Sequence, residues 1–420
     1  VKDLKEQRTD SHAELMALLN SRKTKTADPN VCCKICLEGY DEITADDDAS
    51  EKNPLVTPCA CRGSAAHIHL SCLKDWHASA GYPTHLRCPT CKQHYFGFVA
   101  VELAKMNLEH IEAAIVCASS SSRADHQLRR ATAMTRLAQV LCGQGQYEEA
   151  LPLYRDSLAS RISILGPARP EVAESLTNLG ELYRLQGNYE DALRLQTRAL
   201  ALRETMLGDN HPDTATSYNN LGVVLQFKGR LKQANDHFDK AVRIYEKVFG
   251  VDHANVASLL NNIAGLMRSQ GDLTKTLELY QRSLAIRKRV LGPHHPTVAE
   301  SLNNLAIMYS EMGDGELAQE AATECVTIAA EFYQPDHPEF LNYKGNYGIV
   351  QKRIGQTEAA KRHIQEALRG LLEKSFPPAH MWVSKFEAQL QELRDAESCD
   401  CAAAAASAVP SAPEAVAVVC

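Results

Sequence analysis

Residues 175–193 read SLTNLGELYRLQGNYEDAL, and a variant of the same text returns as SYNNLGVVLQFKGRLKQAN at 217–235 and as SLNNLAIMYSEMGDGELAQ at 301–319. Around them, Gly145, Gly187, Gly229, Gly271, Gly313 and Gly355 fall in register, each 42 residues from the next. A fixed period of roughly 20 to 50 residues marks a stack of supersecondary units. Within a period, Leu176, Leu179, Leu182 and Tyr183 follow helical spacing, so the unit reads as a helical hairpin. The glycine closes the first helix, where a left-handed residue is needed. The second helix of the second unit is expected over Tyr189–Leu207. Pro170, Pro212, Pro296 and Pro338 start the next first helix, where a missing amide proton costs nothing. Small residues recur at Ala150, Ala192, Ala234, Ala318 and Ala360, with Thr276 as the exception. The fold class is mainly α, with an α-solenoid of 42-residue hairpins over most of the chain.

Together with LGDNHP and LGPHHP between units, these phrases resemble the tetratricopeptide repeats of kinesin light chains over residues 131–374. The outer units depart from the pattern. Arg136 stands where the others carry asparagine, and Gly345 breaks the Asn-Asn pair in the last unit, as expected of repeats that cap a stack. The N-terminal leucines Leu4, Leu15, Leu18 and Leu19 form no sustained heptad, so the family's motor-joining role is not expected here.

What the resemblance implies is a groove lined by the first helices, in which asparagines bind the backbone of an extended peptide. Asn178, Asn219, Asn220, Asn261, Asn262, Asn303 and Asn304 occupy the matching text. For the second asparagine of each pair, hydrogen bonding between helices is an equal alternative, because a mid-helix Asn is unfavourable unless bonded. Four residues past the Gly or Ala inside each first helix (Gly180, Gly222, Ala264, Ala306 and Gly348) come Arg184, Gln226, Arg268, Ser310 and Lys352. Arg184, Arg268 and Lys352 point to an acidic peptide or degron as ligand, with a solvated face as the plain alternative. His211, His253, His295 and His337 recur between units and read as turn residues.

Of the 14 cysteines, 8 lie between Cys32 and Cys91. The ligand-spaced set is Cys33-x₂-Cys36, 22 residues, Cys59-x-Cys61, 7 residues, His69-x₂-Cys72, 15 residues, Cys88-x₂-Cys91. In a chain with no secretory signal, this reads as metal ligation rather than a disulfide framework. Eight ligands suffice for two tetrahedral Zn²⁺ sites. Such a site contributes on the order of 10 kcal/mol to folding. Cys32 reads as a spare thiol and His67 as a surface neighbour of His69. His77, His85 and His94 have no partner at ligand spacing and are expected at the surface. The acidic stretch 41–51 reads as a solvated loop.

The texts CKICLEG, PCACRGSAAHIHLSCLKDW and CPTCKQHY resemble the RING-CH variant of the RING finger, as in membrane-associated RING-CH ubiquitin ligases. The PHD finger shares the ligand order but has a shorter gap before its histidine and a Trp just before its seventh ligand. The resemblance implies a two-zinc cross-brace, with Cys33, Cys36, His69 and Cys72 on one ion and Cys59, Cys61, Cys88 and Cys91 on the other. It also implies a docking surface for a ubiquitin-conjugating enzyme at Ile35, Trp76 and Pro89. Lys92 falls where many RING ligases place a cation that contacts both enzyme and ubiquitin. Structural roles in the zinc loops or core remain open for Ile35, Pro89 and Trp76, as does a plain surface role for Lys92.

Hydrophobic content of 45% and charged content of 23% exclude a largely disordered chain, and the net charge of −7 argues against a surface built for nucleic acid. No apolar run is long enough to span a membrane, so the default is a soluble, cytoplasmic protein. The expected organisation is an N-terminal helical or flexible segment (1–30), a zinc finger (31–97), a connecting helix (98–127), about six repeats (128–375), a capping helix (376–397) containing Trp382 and Phe386, and a disordered Ala-rich tail (398–420). The function expected from the two resemblances is a RING-type E3 ubiquitin ligase without a covalent ubiquitin intermediate, its partners a conjugating enzyme and a substrate or adaptor peptide. A non-enzymatic zinc-binding scaffold is the alternative.

Overall fold

The computed structural model describes residues 55–56, 68–79, 87–88, 90, 94–95, 97–117, 119, 122–333, 335–373, 376 and 380–407. On the N-terminal side, β1 (Leu55–Val56) pairs antiparallel with β2 (Ile68–His69), Leu55 opposite His69 and Val56 opposite Ile68. β2 runs directly into α1 (Leu70–Ser79). An isolated bridge joins Arg87 to His94, and α2 (Gly97–Val116) follows.

Six hairpins come next. They are α3 (Arg123–Gly143) with α4 (Tyr147–Leu165), α5 (Pro170–Leu185) with α6 (Tyr189–Leu207), and α7 (Pro212–Phe227) with α8 (Leu231–Phe249). The other three are α9 (Ala254–Ser269) with α10 (Leu273–Leu291), α11 (Pro296–Met312) with α12 (Gly315–Phe332), and α13 (Pro338–Arg353) with α14 (Thr357–Glu373). α15 (Met381–Ser407) packs on α14 and α13. It extends well into the alanine-rich stretch expected to be disordered, because alanine has the highest helix propensity of any residue.

The turns explain the period. Gly187 has φ +77°, its N–H donates to Arg184 O, and the N–H of Asn188 reaches back to Tyr183 O at 2.8 Å. This is the paired-bond ending that only a left-handed residue permits. The same bonds recur at Gly229 and Gly271. The interunit histidines prove to be helix caps: Nδ1 of His211, His253, His295 and His337 accepts the N–H two residues on, at 3.1–3.2 Å. The second helices α6, α10 and α12 are capped by Asn188, Asp272 and Asp314.

The recurrent small residues Ala150, Ala192, Ala234, Ala318 and Ala360 are fully buried where paired helices approach closely. Thr276 fits the same place because its hydroxyl bonds Asp272 O at 2.7 Å. Neighbouring first helices, such as α11 and α13, pack directly on each other, whereas second helices of neighbouring units make no comparable contact. The stack therefore curves with its first helices on the inner face. Among the described residues, no helix is long and apolar enough to cross a membrane.

α2 joins the two parts. Val99, Ala100, Leu103 and Ala104 share one continuous core with Val56, Ile68, Leu73, Cys88 and Tyr95 on one side and with Leu137, Leu141 and Tyr154 on the other. Ion pairs Lys74–Glu102 (2.9 Å) and Arg130–Glu112 (2.7 Å) flank it. α2 is thus packed between the small module and the first hairpin as a structural layer, not strung between them as a tether.

Candidate functional site: a zinc module and an inner groove

Of the eight expected metal ligands, His69, Cys72 and Cys88 are described; Cys33, Cys36, Cys59, Cys61 and Cys91 lie outside the described residues, as do Ile35, Pro89 and Lys92. His69 sits at the end of β2 and is buried, and Cys72 follows on the first turn of α1. Cys88 is fully buried, and its Sγ accepts the Thr90 N–H at 3.4 Å. A hydrogen bond donated to sulfur favours the thiolate, the form that binds metal. Cys88 is withdrawn from water and His69 nearly so, one soft sulfur ligand and one imidazole, which fits a structural zinc set. Among the described residues no three potential ligands converge, and by the expected pairing none should: two belong to one set and one to the other.

Trp76 is half-buried on α1 and packs against the shared core. Its ring meets His77 edge-on at 4.9 Å, and His77 meets Tyr95 at 5.5 Å. The expectation of a surface position for His77 is corrected: it is 2% exposed, and burial pushes its pKa down to about 4. Ligand spacing carries no information on burial; the neutral imidazole is an aromatic wedge between Trp76 and Tyr95. His94 is exposed and accepts a hydrogen bond from Arg87 Nε at 3.1 Å.

On the inner face of the solenoid, the paired asparagines form a ladder between units. Nδ2 of Asn262 donates to Asn219 Oδ1 (2.9 Å), that of Asn304 to Asn261 Oδ1 (3.0 Å), and that of Asn346 to Asn303 Oδ1 (2.9 Å). Asn219 also donates to Asn220, at 3.2 Å. Asn178, in the second unit, takes no part: its Nδ2 is buried without a hydrogen-bond partner among the described residues.

The three basic candidates each find a carboxylate. Arg184 makes a two-pronged pair with Glu181 and lies over the Phe227 ring at 5.1 Å. Arg268 reaches Glu311 of the next unit at 2.6 Å, and Lys352 pairs with Glu392 of α15. Between Arg184 and Arg268, Gln226 donates to Ser269 at 3.0 Å.

A second periodic set escaped the sequence reading. Arg161 and Arg287 are 5% and 3% exposed, and each bonds the first turns of the following first helix. Arg161 donates to Glu171 O, Glu174 and Ser175 Oγ; Arg287 donates to Thr297 O, Glu300 and Ser301 Oγ at 2.8–3.1 Å. Arg203 donates to Ser217 Oγ in the same register. The spacing of 42 from Arg161 to Arg203 carried the signal, but Tyr245 interrupts the series before Arg287.

A RING-variant domain model matches residues 33–91. Tetratricopeptide repeat models match 129–205, 255–331 and 304–373, and a further one 214–255. The chain is a tetratricopeptide-repeat protein with a RING-variant domain ahead of the repeats, and such repeats are made to hold protein partners.

Among solved structures, BtubC (BKLC) from P. vanneervenii matches with 21% identity and a TM-score of 0.45, over 56% of this chain and 92% of that one. The nearly identical TPR-like repeats described as those of a Podosopora anserina kinesin light chain match with 23% identity and a TM-score of 0.41, over 49% and 98%. A Rap protein complexed with Competence and Sporulation Factor matches with 14% identity and a TM-score of 0.47, over 70% and 80%. No curated protein matches the chain at a significant level.

Proposed function

We propose that this protein is a RING-type E3 ubiquitin ligase of the cytoplasm, in which the zinc module recruits a ubiquitin-conjugating enzyme and the solenoid holds the substrate or an adaptor peptide. The observation that carries the reading is the RING-variant match at 33–91, within which all eight cross-brace ligands are present. Two zinc ions would be held by Cys33, Cys36, His69 and Cys72, and by Cys59, Cys61, Cys88 and Cys91. Zinc bound there supplies stability and shape, neither nucleophile nor Lewis acid.

Ile35, Trp76 and Pro89 form the docking surface, Trp76 braced from beneath by His77. Lys92 hydrogen-bonds the conjugating enzyme and its ubiquitin. The protein contributes proximity and orientation: the substrate lysine amine attacks the thioester carbonyl, an amide to ubiquitin forms as the C–S bond breaks, and the conjugating enzyme's cysteine leaves as the thiolate while the amine gives up a proton. The packing of α2 between module and repeats supports this division of labour, because a substrate seated in the groove stays at a defined distance from the docked enzyme.

The test is ubiquitin discharge from a panel of charged conjugating enzymes, with and without a zinc chelator and with Trp76→Ala. The expected result is acceleration that chelation and the substitution abolish. No acceleration across a broad panel would leave the non-enzymatic scaffold as the reading.

A further inference from the structure

A cleft of about 670 Å³ lies on the outer face of the solenoid, along α12. Its residues on that helix, from Glu316 to Ile328, recur every three or four places, so one stripe forms the floor over about 18 Å. The turn at Pro293 and His294, which leads out of α10, lines it as well. The floor is mostly carbon, with Ile328 buried and Thr323 and Thr327 exposed beside it. Glu316, Glu320 and Glu324 edge it. Lys288 of α10 pairs with Glu324 at 2.7 Å, and His294 Nδ1 lies 3.1 Å from Glu331. Glu316 and Glu320 are exposed and, among the described residues, form no ion pair.

The other units mark this stripe as a departure from the repeat. In the same registers α6 carries Arg194 and Arg198, α8 carries Lys240 and Arg243, and α14 carries Arg362 and Arg369. On α10, Arg282 crosses to Glu246 of α8 at 3.0 Å. α12 has four glutamates and neither lysine nor arginine. Its stripe is exposed at Glu316, Glu320, Thr323 and Thr327, so core packing does not dictate that choice. Short side chains leave the furrow beside α12 open, and the carboxylates give its edge one sign of charge. Charge of one sign along a low-dielectric wall attracts a ligand of the opposite sign.

We infer that this cleft is a second docking surface, taking an amphipathic helix of a partner protein whose lysines or arginines flank an aliphatic stripe. A helix laid along α12 fills the furrow as one helix packs on another. Its aliphatic side chains cover Ile328 and the two threonine methyl groups. Cations four residues apart on it meet Glu316 and Glu320, themselves four apart on α12. Apolar contact holds the helix, and the carboxylates select a basic one over an acidic one. The surface faces away from the inner groove, so each can hold its own partner at the same time. The inference is independent of the zinc module and of ligase activity.

The experiment is fluorescence anisotropy of the full-length protein with a fluorescein-labelled synthetic peptide, a Lys-Leu-Ala-Lys-Leu-Ala-Lys unit repeated in tandem, which forms a basic amphipathic helix. The same peptide with glutamate for lysine, and deca-lysine, are the controls. Saturable binding of the first peptide alone is expected. Glu316→Gln combined with Glu320→Gln should weaken it by about five- to tenfold, the loss of two exposed ion pairs. Thr323→Leu should weaken it several-fold by filling the cleft, although it makes the surface more apolar. Glu358→Gln, the matching acid on α14, should leave it unchanged. Circular dichroism checks that the variants keep their helices. Equally tight binding of deca-lysine, an equal loss in Glu358→Gln, or no loss in the double variant or in Thr323→Leu would each overturn the site, as would the absence of saturable binding. A dimer of the protein alone that the double variant dissolves, seen by sedimentation, would assign the cleft to a second copy and overturn the partner helix. Discharge assays on the same wild-type preparation report separately on the ligase reading.

Discussion

The ring of Phe386 on α15 occupies the space that a Cβ at Gly345 would need. Gly345 stands where the preceding units carry the first asparagine of their pairs, Asn219, Asn261 and Asn303. The break in the pattern is therefore a packing requirement. With no further repeat to cover α13, α15 takes over: Phe386 is fully buried and fills the gap, while Lys385 donates to Asn346 Oδ1, the atom that in Asn220 accepts from the first asparagine of its own pair.

Substituting Gly345 by alanine forces Phe386 out of place and should destabilise the C-terminal end by about 1–3 kcal/mol, the usual cost of overpacking. Phe386→Ala, which leaves a cavity, should cost about 3–5 kcal/mol. Urea denaturation of the two single variants and the double variant checks this. Because the residues are in contact, the double variant should lose clearly less than the sum of the two.

Arg287 lies nearly dry between α10 and α11, with Glu300 and Ser301 as partners. Glu300 is 44% exposed and is rehydrated when Arg287 is removed, but the buried Ser301 hydroxyl and the Thr297 carbonyl lose their donor, so Arg287→Ala should cost about 1–3 kcal/mol, whereas loss of the exposed pair Arg194–Asp191 should cost under about 1 kcal/mol. Thermal melting of Arg287→Ala and Arg194→Ala side by side distinguishes the two cases.

His380 caps α15: its Nδ1 accepts the Trp382 N–H at 3.3 Å, and burial pushes its pKa down to about 4. An unfolded histidine titrates near 6.5, so between those values the unfolded chain binds more protons than the folded one. Its contribution to stability is complete above about pH 6.5 and is lost as the pH falls toward 4. His380→Asn keeps a capping oxygen without the titration. Unfolding free energy measured from pH 7 to pH 4.5 should fall less steeply in the variant than in the wild type.

Chelating the zinc proposed for the RING-variant module should loosen more than the module itself, because α2 shares its core with both the module and the first hairpin. Amide hydrogen exchange measured by mass spectrometry with and without chelator should accelerate in α1, α2 and α3. The same measurement should show α9 to α14 unchanged, since among the described residues no core cluster spans both regions. Protection of α3 that survives chelation would show that the first hairpin stands without the module.

The period of 42 and the cysteine-histidine spacing were enough to read the hairpins, the α-solenoid and the RING-variant module, because those features are local. A left-handed glycine, a proline at a first helical position and a Cys-x₂-Cys turn each work through bonds to residues within a few places along the chain. Position relative to other helices cannot be read that way. Burial of His77 against Tyr95 is of that kind, whereas the interunit histidines cap helices through the amide two residues on, a local bond that their turn position already accommodates. The candidate groove shows the same division. Its asparagines were visible in the repeats, but their bonding into a ladder depends on the register of one unit against the next. Arg268, Glu311 and Arg353 come together only because the first helices of neighbouring units lie side by side. An ion-pair cluster drawn from three helices is set by their packing and by no spacing within one of them.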